Sequence, residues 1–142
     1  MSLRILAIGL ICAAGLAHAH SGATGIVKER MDGMLVLGEA LKVLSQESKK
    51  DSPNTDIIRT AAQNLQSHSG AAMTEKFPEG SLDHPTEASP NIWVDFEGFS
   101  KSADALFDHS KALENRPADL AELFPKIAQT CKSCHQEYRI KK

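Results

Sequence analysis

The stretch Pro117–Arg139, PADLAELFPKIAQTCKSCHQEYR, carries two patterns at once. Leu120, Leu123, Phe124, Ile127, Cys131, Cys134 and Tyr138 recur at three- and four-residue spacing, which lines them along one side of an α-helix. Set into that line is C-x-x-C-H, formed by Cys131, Cys134 and His135. The first pattern says what the segment is; the second says what it is for.

Working backwards, three more segments show helical periodicity between breakers. From about Thr24 to Gln46, Val27, Met31, Met34, Leu37, Gly38, Leu41 and Leu44 mark an amphipathic helix. Ser52-Pro53 resembles a cap followed by proline at the first helical position, and opens a second helix running to about Met73. Its expected inner residues are Ile57, Ile58, Ala61, Leu65 and Ala72. A Pro-, Gly- and polar-rich loop spans Phe77–Pro90, and Ser89-Pro90 repeats the cap signal before a third helix to about Leu113. Ile92, Phe96, Phe99, Ala103 and Leu106 line that helix, with Trp93 beside them. Pro117 starts the last. No strand-like alternation occurs, and each helix of roughly 20 residues spans about 30 Å. The predicted fold is an all-α, antiparallel (up-down-up-down) four-helix bundle.

Residues 1–19, MSLRILAIGLICAAGLAHA, have the anatomy of a secretory signal peptide: Arg4, an apolar run, and an Ala17-His18-Ala19 cleavage pattern. The apolar run is too short to span a bilayer comfortably. Residues 20–142 then form one exported domain, with no later segment apolar enough to be a membrane span. The formal net charge of −2 gives no reason to expect nucleic acid as a partner. Of three cysteines, Cys12 belongs to the leader, so the domain keeps only Cys131 and Cys134. An exported domain with one close pair has no disulfide framework, and those thiols act locally.

Several chemistries use such a pair. A redox dithiol sits at a helix start within an α/β pattern, where the helix N-terminus lowers a thiol pKa; this pair lies near a helix end in a chain without strands. A structural zinc site takes four ligands, and no second CxxC or HxxxH completes one. On a helix, positions i, i+3 and i+4 share a face, so both thiols can bond one edge of a porphyrin with His135 beneath the iron. C-x-x-C-H is the signature of c-type haem attachment. The expected cofactor is one covalently attached haem c. A haem-free thiol-redox or metal-binding helical module, or simply a disulfide or two idle thiols, is the competing reading.

The stretches CKSCHQEYR, SPNIWVDFEGF and GIVKERMDGM, with the helix order and lengths, resemble the class II cytochromes c, the cytochrome c-prime family, over essentially all of residues 20–142. The resemblance implies a haem-binding four-helix bundle of one of two kinds. In the low-spin branch, typified by cytochrome c-556, a first-helix methionine fills the sixth iron position, and the protein carries electrons. In the high-spin branch an apolar residue stands there and the five-coordinate iron binds nitric oxide or carbon monoxide. Matching GIVKERMDGM to the low-spin branch puts Met34 at the distal position opposite His135, with Met31 as the second candidate. Methionine on an apolar stripe also serves as core filler. The resemblance further places Arg30 near a haem propionate, with a solvated arginine as the alternative, and Arg139 near the haem edge and the histidine.

The resulting expectation is a periplasmic, monohaem, non-enzymatic carrier serving redox partners that the sequence does not name. Family members are often dimeric through their first two helices, but Lys42, Lys49, Arg59 and Gln63 leave those faces without an obvious apolar stripe. Gly33 and Gly38 flank Met34 as sites of close approach. Met73 is expected to be packing or surface; His20, His68, His84 and His109 are expected to face solvent.

Overall fold

The computed structural model describes residues 22–140; the expected leader at 1–19 and His20 lie outside them. Six α-helices follow in order: α1 (Gly25–Glu47), α2 (Thr55–Gln66), α3 (Ala71–Thr74), α4 (Asn91–Val94), α5 (Phe96–Asn115) and α6 (Leu120–Tyr138). A 3₁₀ turn at Pro117–Asp119 leads into α6. The four long helices form the antiparallel bundle that the periodicity predicts. Among the described residues there is no strand, only an isolated antiparallel bridge between Ala88 and Arg139. No described helix is long and apolar enough to cross a membrane.

The buried stripe of α1 runs Val27, Arg30, Gly33, Leu37, Ala40, Leu44 and Glu47. It is rotated from the expected one: Gly38 is exposed, Met31, Met34 and Leu41 are half-buried, and Arg30 and Gly33 face inward. At the far end, the buried Glu47 carboxylate accepts from the Asn54 backbone N–H at 2.9 Å and from Lys50. That pins the connection to α2.

Asn54, not Ser52, caps α2, its side-chain oxygen accepting from the N–H groups of Asp56 and Ile57 at 3.0 and 3.1 Å. This satisfies two of the four donors a helix start leaves open. The helix ends at Gln66 rather than near Met73. Gly70 takes φ +58, and its N–H leaves the helical ladder to bond Ala103 O of α5 at 3.0 Å. Glycine adopts that left-handed conformation without steric cost. Ile57 is exposed rather than inward-facing, while Ile58, Ala61 and Leu65 are buried as expected.

The third predicted helix is two helices. At Asp95 the backbone leaves the helical region, and the carboxylate accepts from Gly98 N–H at 3.0 Å to start α5 afresh. Phe96, just past the break, is exposed. Ser89 Oγ accepts from Asn91 N–H at 3.2 Å just before α4, although the capping position is Pro90, one residue later than expected.

The core gathers Leu44, Ile58, Leu65, Phe99, Leu113 and Ile127, each at most 2 % exposed. Full burial of such a side chain stabilises by about 1.5–3 kcal/mol. Phe99 meets Phe77 and Tyr138 edge-on, with centroids 4.9 and 5.4 Å apart. This is the favoured aromatic geometry. Around the bundle, α2 against α5 is the most extensive pairing, followed by α1–α2 and α5–α6; the α1–α6 seam is sparse.

Candidate cofactor site

Helix α6 presents Cys131 and Cys134 on the side that packs against the core cluster. Both are half-buried free thiols. Burial pushes the Cys131 thiol up, and pushes Cys134 up to about 11, with the neighbouring Cys131 adding to the shift. Redox dithiols need the opposite, a thiolate stabilised by nearby positive charge or a helix N-terminus. The thiol-redox alternative therefore lacks its basic requirement. A zinc module fares no better, since no cluster of three or more His, Cys, Asp or Glu side chains among the described residues is arranged to hold a metal ion.

His135 follows Cys134 and lies exposed at the outer edge of the same helix. Partial desolvation lowers its pKa, the charge of Arg139 lowers it further, and Glu87 opposes both. The imidazole is held toward its neutral form, the form that donates a lone pair to a metal.

Met34 enters from α1, half-buried and packed against the core cluster that also meets Cys131 and Cys134. It lines a small cavity of about 10 Å³ with Gly33, Leu37, His68, Met73 and Phe77, room for about one water molecule. Met31, one turn away, is half-buried. Met73 is buried packing. A Cβ on Gly33 would come within 3.3 Å of His68 Cδ2, so this glycine does mark a close approach, whereas Gly38 faces open space. His68 is thus half-buried against α1 rather than free in solvent. His109 is also half-buried; His84 is exposed as expected.

The two arginines converge on one loop. Arg30 is buried, neither solvated nor idle. Its Nη1 donates to Ser81 Oγ at 2.9 Å, its Nη2 to Ser81 O and to Thr86 Oγ1 at 2.9 Å, and its guanidinium lies 5.0 Å over the Phe77 ring. Arg139, just past α6, donates from Nε to Glu87 Oε2 at 2.7 Å and from Nη2 to the same oxygen. Backbone bonds from Ser89 N–H to Tyr138 O and from Ile140 N–H to Glu87 O, both 2.9 Å, hold this loop to the helix end.

Sequence reasoning did not single out Ser81, Thr86, Glu87 or Asp95. Asp95 follows a helical run and precedes a glycine-containing one, so its capping role had a signal; the loop residues had none.

The donor set fits a covalently held haem. Two core-facing thiols one turn apart suit thioether bonds, the imidazole beside them is biased toward its metal-binding form, and the sparse seam lies between the helices that carry His135 and Met34.

Comparison with known proteins agrees. A family profile described as cytochrome c′ matches residues 25–139. Cytochrome c-556 of Agrobacterium tumefaciens (strain II Chrys) is 34% identical over 123 residues, covering 83% of this chain and 99% of the relative. Among solved structures, cytochrome c′ from Rhodopseudomonas palustris superposes with a TM-score of 0.76 at 24% identity, covering 84% of this chain and 99% of that one. An NMR-validated structural model of oxidized cytochrome c556 from R. palustris gives 0.70 at 19% identity, covering 82% and 97%.

Proposed function

The chain belongs to the cytochrome c′ family and so carries covalently bound haem c; from that premise we propose that it is a low-spin, single-haem electron carrier exported to the periplasm. The haem supplies reversible one-electron chemistry. Cys131 and Cys134 would fix it through thioether bonds, and His135 and Met34 would supply the two protein ligands to its iron. Support for one haem comes from the single C-x-x-C-H in the chain. Support for the leader comes from the residues that precede the matched region.

The observation that carries the reading is that Met34 on α1 and Cys131 and Cys134 on α6 are each half-buried against the bundle core, on two helices that pack on each other only thinly. A thioether is a soft donor, and Met/His ligation raises the reduction potential. A filled coordination shell also reduces rearrangement when an electron arrives or leaves. Both properties suit a carrier.

The five-coordinate, gas-binding reading rests on a different observation: Met34 packs beside His68 and Met73, as a filler methionine would. The visible spectrum of the ferrous protein separates the two. Sharp, split bands that ignore carbon monoxide support Met34 ligation, and Met34→Ala should then give a broad spectrum that responds to the gas. A broad, gas-sensitive spectrum from the unaltered protein overturns the carrier reading.

A further inference from the structure

Arg30 occupies a position on the buried stripe of α1 where leucine or alanine would pack without a desolvation cost. It is 4 % exposed. Burying a guanidinium is expensive, and an apolar replacement of similar volume is often neutral or stabilising. What only arginine supplies there is its rigid fork of donors. Three of those donated bonds go to neutral oxygens of one loop, at Ser81 and Thr86.

The next residues of that loop are bonded elsewhere. Glu87 holds Arg139, its carbonyl accepts from Ile140 N–H, and Ser89 N–H reaches Tyr138 O. Asn91 Nδ2 adds a contact to Glu137 O at 3.4 Å. A few consecutive residues therefore tie the first turns of α1 to the last turn of α6. Arg30 lies one turn before Met34, and Arg139 one turn after His135. Those two helices pack on each other only thinly, and the loop joins them at one end.

We propose that Arg30 is a positioning residue for Met34: by clamping residues 81–86 onto α1 while residues 87–89 are bonded to the end of α6, it sets the width of the α1–α6 seam at the level of Met34 and His135. Without the clamp, the start of α1 keeps its packing on α2 but loses its tie to the end of α6, and Met34 draws back. The clamp itself is a matter of hydrogen bonds within the chain; its effect on the sixth coordination position rests on the Met34 ligand reading given above.

The test uses the holoprotein with Arg30→Gln, Arg30→Lys and Thr86→Val. Amide hydrogen exchange at Ile140 and Ser89 reads the clamp. Arg30→Gln should speed both by about tenfold or more, the scale of losing charge-assisted hydrogen bonds, while Leu65 in α2 is unchanged. Thr86→Val should act on the same two amides more weakly, and Arg30→Lys should keep part of their protection. In the same rank order, the ferrous spectrum should gain a high-spin fraction and carbon monoxide should bind faster. Unchanged exchange at Ile140 and Ser89, or equal acceleration throughout the bundle, overturns the clamp. A loosened clamp with spectrum and gas binding unmoved overturns the positioning role. An unaltered protein that is already high-spin removes the ligand reading and the positioning role with it, while the exchange data still decide the clamp separately.

Discussion

The Tyr138 hydroxyl donates to Asp95 Oδ2 at 2.8 Å, joining the last turn of the cysteine-bearing helix to the residue that starts α5. Asp95 thereby serves two partners, since its other oxygen accepts from Gly98 N–H. The tie moves both pKa values. Tyr138 is pushed up to about 12 by burial and by its bond to Asp95, and the Asp95 carboxyl is held below its ordinary range chiefly by that same bond.

Tyr138 is the one tyrosine in the chain, so its titration can be followed without interference from another. Its tyrosinate ultraviolet band should emerge near pH 12 instead of near the ordinary value of about 10. Because the folded pKa is raised, the stabilisation is complete below pH 10 and is lost as pH rises through 12. The Asp95 contribution has the opposite sign, present above the usual carboxylate pKa and lost as pH falls through its depressed folded value. Tyr138→Phe should flatten the alkaline arm of a stability-versus-pH curve; an unchanged arm would show that the tie contributes nothing.

Gly98 is held by the same pair. A Cβ there would stand 2.2 Å from Asp95 Oδ2 and 2.5 Å from Tyr138 Oη. Alanine normally gains about 1 kcal/mol over glycine inside a helix. Here the gain is outweighed, because the substitution displaces the α5 cap and the tether together. Gly98→Ala should lower the Tm by at least about 3 °C, whereas an increase would mean that the carboxylate swings away freely.

The thiol pKa directions predict slow alkylation of the haem-free chain. Both cysteines should stay protonated at neutral pH, with Cys134 gaining reactivity steadily as pH climbs toward about 11. Rapid labelling at pH 7 would contradict the buried placement. In the mature protein, Cys131→Ala and Cys134→Ala should each retain one thioether bond, and the double variant none, as read by mass after denaturation.

Ile127 lies one turn before Cys131 and is fully buried. Ile127→Ala should cost about 2–5 kcal/mol in denaturant unfolding, from lost transfer free energy and the cavity left behind. A cost below about 1 kcal/mol would indicate that α6 packs loosely at its centre.

The helices, their order and the C-x-x-C-H face were legible because periodicity and spacing are local properties of the chain. The departures came where a polar group had a use that local pattern does not encode. Arg30 replaced an apolar residue on the α1 stripe because its donors are met by a loop some fifty residues on. Asp95 divided a helix because a carboxylate at a cap outcompetes helix continuation. Gly70 cut α2 short because its N–H is used by α5. The ligand role proposed for Met34 came from resemblance alone, since an apolar stripe cannot say which of its methionines would face a metal.

The thin contact between the first and last helices bears on how this molecule comes apart. Every extensive pairing joins long helices that follow one another in the chain, whereas this one closes the ring between its two ends. Regions with few buried contacts open at lower free energy than the rest. Before the haem is seated, unfastening should therefore begin along the α1–α6 seam, exposing the cysteine-bearing helix while the inner pair, α2 with α5, stays folded.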